Sequence, residues 1–323
     1  MGRRFINQLG EQETVAEVFR ASEKQLRPNR TGHLYLQLEL SDRSGAVGAR
    51  MWNATESLYR SFENGDFVRV EGTSQRFQGA MQLILTRLEK VDPKEVSEDD
   101  FTPLAAVDVD QLVVRLGELL RSIANPHLRN LAECFLLDEE FTGKLARAPG
   151  GVKHHHAYLG GLLEHVVTLM EVVLRVAPCY PQLDRDLLLL GAFLHDAGKT
   201  DELSYEREFA YSDEGQLVGH LVLGVSLLEQ KAREAEKLAG EPLPAELLLR
   251  LKHLIVSHHG EYDYGSPKLP MTLEAVALFC LDNLDAKISA FSQQMRDDPN
   301  LGSPWTNYNP SLGRNLFKGS NSS

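Results

Sequence analysis

Apolar and polar residues alternate with a period of two in short runs over about the first ninety residues. Because successive side chains of a β-strand point to opposite faces, this alternation predicts strands with one buried face. Turn residues separate the runs, and a helix-like stretch over 56–62 lies between the third and the fourth. We predict strands over 15–22, 33–41, 46–52, 67–72 and 81–88, with a loop over 25–32.

The period changes after an acidic, proline-containing stretch over 93–108, which we interpret as a linker. Beyond it, apolar residues recur every three to four positions, as in helices that bury one face. This pattern predicts helices over 109–124, 126–136, 139–146, 160–176, 184–194, 219–239, 245–258 and 272–295. The chain therefore divides into a small all-β domain over 1–92 and an all-α domain over 109–300, with an irregular tail over 301–323.

The composition is that of an ordinary globular protein, with 42% apolar and 25% charged residues. No run approaches the roughly 20 apolar residues that a membrane span needs, and the N-terminus lacks an apolar signal core. The three cysteines are scattered without metal-type spacing, so we expect them to be reduced. These features predict a cytoplasmic protein without a membrane partner.

The net charge of −12 is spread unevenly along the chain. Residues 1–95 hold 14 Lys and Arg against 13 Asp and Glu, whereas residues 96–323 hold 20 against 33. Only the N-terminal domain can therefore approach a polyanion without net repulsion, and the acidic domain needs cations to hold phosphate. The same distribution is compatible with a homo-oligomer that brings several N-terminal domains to one substrate.

The stretch from Leu194 to Lys199 places an imidazole beside a carboxylate, His195 and Asp196, at the end of an apolar helix. Both groups are expensive to bury unpaired. Helix capping is one interpretation and metal binding is the other. The other histidines favour a metal, because ten of the eleven in the chain lie between His127 and His259, several of them within apolar helical patterns.

Five elements of the helical domain offer metal ligands in turn: His165, the pair His195 and Asp196, His220, the pair His258 and His259, and Asp282. A single histidine in such a place is more often a core or capping residue. Five coincidences on apolar helix faces are difficult to attribute to chance. Nitrogen and oxygen ligands without thiolate suit Mn, Fe, Co, Ni or Zn and do not choose among them.

This ordered set of ligands resembles that of the HD-domain metal-dependent phosphohydrolases. The resemblance implies two divalent metal ions bridged by Asp196. It also implies that His165, His195 and Asp282 complete one ion site, while His220, His258 and His259 complete the other. Two neighbouring cations lower the pKa of a shared water and clamp the phosphoryl oxygens of an in-line displacement.

Two further residues are candidates for catalytic contacts with phosphate. Lys199 follows His195 by four residues, near it on a continuing helical turn, and could stabilise the charge that builds on phosphate. The alternative for Lys199 is a solvated helix end. His156 precedes the helix of His165 and could point into the cleft. Asp285, one helical turn after Asp282, is expected to orient a ligand histidine or to pair with a lysine.

The five strands with a helix between the third and the fourth are the layout of an OB-type barrel, and the phrases over 40–52 and 65–72 resemble that fold. Such barrels bind single strands by aromatic stacking beside a cationic groove. The candidates for nucleic-acid contacts are Tyr35, Arg50, Trp52, Arg69, Arg76 and Phe77. The alternative is that half of the rings belong to the core.

Nearly the whole chain resembles the YhaM-type 3′-to-5′ exoribonucleases, which join an OB-fold domain to an HD domain. The segments that carry this resemblance are 155–165, 194–199, 219–220, 257–260 and 281–287. It implies removal of nucleoside 5′-monophosphates from single-stranded RNA, with single-stranded DNA as a second candidate substrate and Mn as the first candidate metal.

Two other functions remain open at this point. One is an HD-domain phosphodiesterase or nucleotidase for a small nucleotide, against which stand the barrel and the absence of a Gly-Tyr-Pro phrase after His259. The other is a non-catalytic single-strand-binding protein with a structural metal centre. The intact ligand set disfavours this second alternative, because no ligand is replaced by an apolar residue.

Overall fold

The structure, a computed structural model, describes residues 3–29, 31–77, 80–97, 100–101, 108–151, 158–204, 210–298, 300, 303–310 and 312–319. The chain divides into two compact units. The first contains the N-terminal strands and also the residues from Ser292 onward, and the second contains the helices up to Phe291. None of the described helices combines the length and the apolar character that crossing a membrane requires.

Five strands form a closed barrel, which confirms the OB-type fold that the alternating pattern predicts. Their bounds are β1 Thr14–Pro28, β2 Leu34–Asp42, β3 Gly45–Trp52, β4 Phe67–Phe77 and β5 Ala80–Lys90. The order around the barrel is β1-β2-β3-β5-β4, in which only β3 and β5 run parallel to each other. Helix α1, Glu56–Tyr59, lies between β3 and β4 in the chain, and the Thr55 hydroxyl accepts a hydrogen bond from the N–H of Leu58 to cap it.

Alternate residues of the strands fill the barrel. On β2, for example, Leu36, Leu38 and Leu40 are buried, while the intervening positions point outward. Burial of each such leucine stabilises the fold by about 1.5–3 kcal/mol. The inward set leaves the outward set free for solvent or ligand, which is the division that a binding barrel needs.

Strand β1 is longer than the sequence predicts. A bulge between Ser22 and Gln25, with Glu23 at a φ of 51°, bends the strand and lets it continue beside β2 as far as Pro28. The expected loop over 25–32 is therefore wrong for its first four residues. Their backbone pairs with β2, and Leu26 packs against the barrel core while its polar neighbours Gln25 and Arg27 face outward.

The eight predicted helices are all present, with ends that differ by at most a few residues. Their bounds are α2 Val109–Arg121, α3 Pro126–Leu136, α4 Glu139–Arg147, α5 Gly161–Val176, α6 Arg185–Leu194, α9 His220–Ala239, α10 Ala245–Ser257 and α11 Leu273–Asp297. The sequence does not predict the short elements between α6 and α9. These are α7 Lys199–Glu202, β6 Leu203–Ser204, β7 Ala210–Tyr211 and α8 Asp213–Leu217.

Polar caps set where several helices begin. The side chains of Asp108, Asn125, Asp138 and Asp184 each accept a hydrogen bond from a backbone N–H in the first turn of α2, α3, α4 and α6, respectively. Each cap contributes about 1 kcal/mol.

Helix α6 runs through the interior of the helical unit. Every residue from Leu187 to Leu194 is buried, and Phe193 packs edge-on against Phe135 with ring centroids 5.4 Å apart. Because the helix has no solvent face over this stretch, the residues that follow Leu194 also lie in the interior. The fold thus carries the His195 and Asp196 pair into a buried position.

Candidate metal centre

The turn after α6 fixes the orientation of His195. The His195 backbone N–H donates to the carbonyl of Gly191, and its Nδ1 lies 2.9 Å from the carbonyl oxygen of Ala192. This contact holds the ring so that Nε2 points away from α6, toward the ligands on other helices. His195 and Asp196 are both buried, at 0% and 3% exposure.

A first group of three ligands comes from α5, the turn after α6, and α11. The Nε2 atom of His165 lies 3.2 Å from that of His195 and 3.3 Å from Oδ1 of Asp282. The Nε2 atom of His195 lies 3.8 Å from the same carboxylate oxygen. Three ligand atoms that converge in this way can hold one metal ion.

A second group comes from the start of α9 and the end of α10. Its members are His220, His258 and His259, whose ligand atoms lie within 4.8 Å of one another. The Nε2 atoms of His220 and His259 are 3.3 Å apart. The sequence assigns these three histidines to one site by resemblance, and the structure brings them together.

The carboxylate of Asp196 lies between the two groups. Its Oδ2 is 3.4 Å from Nε2 of His195, on the side of the first group. Its Oδ1 is 3.6 Å from Nε2 of both His220 and His258, on the side of the second group. Each oxygen therefore faces a different set of imidazoles.

One buried polar atom in this cluster tests whether it fits a metal. Oδ1 of Asp196, which faces the second group, has no hydrogen-bond partner among the residues that the structure describes. Buried polar atoms are almost always paired, and an ion is one explanation for those that are not. The donor set of imidazoles and carboxylates without thiolate also fits divalent cations.

Hydrogen bonds to the outer ring nitrogens fix the ligand imidazoles. Nδ1 of His165 is 2.7 Å from Oδ2 of Asp285, and Nδ1 of His258 is 2.8 Å from the carbonyl oxygen of Ile255. Such contacts set the tautomer that leaves Nε2 as the ligand atom. The position of Asp285 matches the orienting role expected from its spacing after Asp282.

Glu202 orients His220 in the same way, and the sequence analysis overlooks it. Its Oε1 lies 3.0 Å from Nδ1 of His220 and accepts a hydrogen bond from the backbone N–H of His220 at 3.0 Å. Glu202 is 7% exposed. A signal existed in the sequence, since this acid follows Asp196 by six residues in the same motif, but its partner lies 18 residues further on.

Two histidines of the second group, His258 and His259, are held in the neutral form that binds metals. Burial lowers the pKa of His258, and burial together with the neighbouring His258 and His220 lowers the pKa of His259 to about 4. In the first group the carboxylates dominate. Burial opposes protonation of His165, but hydrogen bonds with Asp282 and Asp285 raise its pKa to about 10. The carboxylates therefore give the first group a strongly negative electrostatic environment, as a cation site requires.

Lys199 is a largely buried cation beside the central carboxylate, with 15% of its side chain exposed. Its Nζ donates to Oδ2 of Asp196 at 2.7 Å and to the carbonyl oxygen of Gly150 at 3.0 Å. Burial lowers the pKa of Lys199, but the charge of Asp196 outweighs this and raises it above its ordinary value. The alternative of a solvated helix end is thus wrong. His156 lies outside the residues that the structure describes.

Gly198 allows α9 to approach this turn closely. A Cβ atom at Gly198 would lie 2.6 Å from the backbone nitrogen of Gly224 and still closer to the carbonyl oxygen of His220. Only a residue without a side chain fits there. The glycine of the turn is therefore part of what positions His220.

On the barrel, the structure brings four of the six candidate residues for nucleic-acid contacts together. Tyr35 of β2 lies opposite Trp52 of β3, with ring centroids 5.3 Å apart. The guanidinium of Arg50 lies 5.5 Å from the ring centroid of Phe77. Trp52 and Phe77 are 47% and 46% exposed, so the alternative of core rings does not hold for them.

The other two barrel candidates are paired with acids. Arg69 forms an ion pair with Glu89 at 3.7 Å, and Arg76 forms one with Glu11 at 3.8 Å. Arg69 lies eight residues from Phe77 on β4, about 26 Å along an extended strand. The structure therefore does not group Arg69 with the aromatic residues.

Comparisons with known proteins agree with this description. The family model described as HD domain matches residues 162–287, and the one described as OB-fold nucleic acid binding domain matches residues 15–91. The chain is 33% identical over 292 residues to the 3′-5′ exoribonuclease YhaM of Bacillus subtilis (strain 168), with 90% of each chain covered. It is 34% identical over 285 residues to the YhaM of Bacillus velezensis, with 88% of each covered.

Two solved structures are similar to part of this chain. The second OB-fold domain of replication protein A from Methanococcus maripaludis has a TM-score of 0.22 and 21% identity, and the match covers 28% of this chain and 96% of that one. The mitochondrial single-stranded DNA binding protein Rim1 from S. cerevisiae has a TM-score of 0.22 and 16% identity, covering 25% and 98%.

Proposed function

Because the chain belongs to the YhaM family of 3′-to-5′ exoribonucleases, we propose that it shortens single-stranded RNA from the 3′ end and releases nucleoside 5′-monophosphates. One observation carries the proposal: six imidazole and carboxylate ligands surround the buried carboxylate of Asp196 in the same chain as an OB-type barrel with exposed aromatic residues. The first feature suits phosphodiester hydrolysis, and the second suits a substrate that is a strand.

Within this function we assign Asp196 as the bridge between two divalent ions. Support comes from its two oxygens, each of which faces a different group of ligands. Ions bound there would act as Lewis acids toward the scissile phosphate and the attacking water. Lys199 stays protonated beside Asp196, so its ammonium is available to stabilise negative charge on the phosphate. His156 is proposed, from its sequence position alone, as a further phosphate contact.

We propose Mn²⁺ as the working metal. The ligand set of five histidines and two aspartates, without cysteine, favours a borderline cation and leaves Fe, Co, Ni and Zn as competitors. Metal analysis of the purified protein, followed by activity measurements after exchange into each metal, distinguishes these ions. Two ions per chain are expected.

On the barrel, we propose that Tyr35, Trp52 and Phe77 stack on bases while Arg50 contacts the backbone. Stacking on aromatic side chains tolerates any sequence, because every base has a π face. None of these contacts requires a 2′-hydroxyl, so single-stranded DNA is a second proposed substrate. Arg69 and Arg76 are proposed to contribute to the general attraction of the strand rather than to the stacking surface.

The test uses RNA labelled at its 5′ end and protein loaded with Mn²⁺. The proposal predicts a ladder of products that shorten from the 3′ end, together with nucleoside 5′-monophosphates. Asp196→Asn should abolish shortening while leaving the barrel intact. RNA that stays whole, or equal degradation by Asp196→Asn protein, contradicts the proposal.

We also propose that the protein forms a homo-oligomer through α11. Exposed apolar residues follow one another along this helix at Leu273, Val276, Leu284 and Ile288, with the exposed Cys280 at the middle. Val276 and Leu284 lie four residues on either side of Cys280, so an antiparallel copy of the helix presents the same pattern. A short bis-maleimide should crosslink two chains, and Cys280→Ser should prevent it while Cys179→Ser should not.

We place this activity in the cytoplasm. All three cysteines are free, and two of them are exposed, which suits a reducing compartment. Fractionation of cells that express the protein tests this location.

A further inference from the structure

Solvent reaches some ligands of the metal centre and not others. His165, His195 and His258 are buried, at 2%, 0% and 1% exposure, whereas His220, His259 and Asp282 are half-buried. One approach for a substrate phosphate therefore runs past His220 and His259, on the side of the second group. The chain segments next to these two ligands form the edge of the entrance.

Both segments carry large exposed side chains. Tyr262 and Tyr264, here called the tyrosine pair, follow His259 by three and five residues and are 65% and 61% exposed. Leu217 precedes His220 by three residues and is 86% exposed. Since the Nε2 atoms of His220 and His259 are only 3.3 Å apart, the two segments leave the metal centre at the same edge.

The loop that carries the tyrosine pair is held in place. Gly260 turns the chain at a φ of 78°, and the N–H of Glu261 donates to the carbonyl of His259 at 3.0 Å. At the far end of the loop, the hydroxyl of Ser266 lies 2.7 Å from the carbonyl oxygen of Lys268 and 3.2 Å from that of Val256 in α10. Binding at the tyrosine pair therefore costs little ordering of the loop.

Charge decides which part of a strand can contact this edge. Residues 210–222 and 260–268 contain one base, the exposed Lys268, against four exposed acids, Asp213, Glu214, Glu261 and Asp263. This surface repels phosphate. A nucleobase is flat and uncharged, and stacking on tyrosine suits it. Phosphate contacts are then left to the metal ions and Lys199.

We propose that the tyrosine pair is a binding site for nucleobases at the 3′ end of the strand, stacking on them while the terminal phosphodiester lies at the metal centre. The site positions substrate and is sequence-tolerant, because stacking does not distinguish strongly among bases. It is separate from the stacking surface on the barrel. The inference rests on the proposed exonuclease function.

The test compares full-length wild-type protein with Tyr262→Ala, Tyr264→Ala and the double variant. Tyr180→Ala is the matched control, because Tyr180 is also exposed, at 51%, but follows His165 by 15 residues, about 22 Å along α5 and its extension. Two RNAs are used, one ordinary and one whose two 3′-terminal nucleotides are abasic. Steady-state kinetics give kcat and KM for each combination.

On ordinary RNA, the double variant should lose about 10-fold or more in kcat/KM, mainly through KM, whereas Tyr262→Phe with Tyr264→Phe should stay within about twofold of wild type. On the abasic RNA, wild type and the double Ala variant should be equal. An undiminished kcat/KM for the double variant on ordinary RNA overturns the inference, as does an equal loss on both RNAs or a similar loss in Tyr180→Ala.

Fluorescence separates this inference from the proposed function. A 2-aminopurine at the 3′ end of an RNA whose terminal linkages resist hydrolysis should be quenched by Mn²⁺-loaded wild-type protein and much less by the double Ala variant. If wild-type protein degrades no RNA but this difference is present, the exonuclease function fails and the base site stands. If RNA is degraded but quenching is the same in both proteins, the base site fails alone.

Discussion

Replacement of Gly198 by alanine should damage the metal centre without removing any ligand. A Cβ atom at this position would lie 2.6 Å from the nitrogen of Gly224, where ordinary contacts begin at 3.4 Å, and closer still to the carbonyl of His220. Both neighbours are backbone atoms at the start of α9, so no flexible side chain can move aside. The N-terminus of α9 must therefore shift by about 1 Å, and His220 moves with it.

Two separate losses are expected, one in folding free energy and one in metal affinity. Overpacking of this kind costs about 1–3 kcal/mol of folding free energy, which lowers the Tm of a domain of this size by roughly 2–10 °C. Metal ligands tolerate displacements of only about 0.2 Å, so a 1 Å shift of His220 should weaken binding at the second group by 10-fold or more. The relative decrease in metal affinity should thus be larger than the relative decrease in folding stability.

Gly143→Ala is the matched control, because a Cβ atom at Gly143 in α4 would meet nothing within 4 Å. An added methyl group in an exposed helix should stabilise the protein by up to about 1 kcal/mol. Metal content after gel filtration, Tm with and without Mn²⁺, and RNA shortening are measured for both variants. If Gly198→Ala protein keeps the metal content and Tm of wild type, the close approach of α9 is not what positions His220.

Three other perturbations give distinct outcomes. Glu202→Gln replaces the acid that orients His220 with a neutral group of the same shape, so metal affinity measured by competition with a chelating dye should fall about 10- to 100-fold, with Tm in the absence of metal nearly unchanged. Trp52→Ala should weaken binding of single-stranded RNA by about 1–3 kcal/mol in fluorescence anisotropy, with or without metal, whereas Arg87→Ala on β5 should have little effect on it. For Glu274, burial raises the pKa, but hydrogen bonds from the Asp184 N–H and from Arg250 hold it below 4.5. Its ionised form therefore stabilises the fold above about pH 4.5, and this contribution is lost as the pH falls below that value. The urea midpoints of wild type and Glu274→Gln should accordingly differ at pH 7 and converge toward pH 3.

The ligands could be predicted from the sequence because each lies on a regular helix or at its end. His165, His220 and Asp282 sit in long apolar patterns where a polar group stands out, and Asp196 follows the most apolar helix of the chain. The separations between them are set by helix packing, which the pattern leaves undetermined. Resemblance to a known family supplied the grouping, and the distances in the structure agree with it.

Residues whose role depends on a partner far away in the sequence are harder to predict. Arg69 looks like Arg50 in the sequence, since both are basic residues on predicted strands. Only the register of β4 and β5 shows that Arg69 faces Glu89. Glu202 was overlooked for the same reason, because its short helix has too few residues to show a period and its partner is in α9.

The two units differ in what they require to hold a strand, and this difference can be measured. The stacking surface of the barrel includes its own cation, Arg50 beside Phe77, so it can bind RNA without metal. The edge of the metal centre carries four acids and one base over 210–222 and 260–268, so its contact with the phosphates of a strand depends on bound ions. Metal-free protein should therefore keep most of its affinity for long RNA but lose protection of the 3′-terminal nucleotides. Footprinting of end-labelled RNA with hydroxyl radicals, with a chelator and with Mn²⁺ on a 3′-end analogue that resists hydrolysis, measures that protection. Equal protection of the last nucleotides in both conditions would show that the helical unit holds the strand without ions.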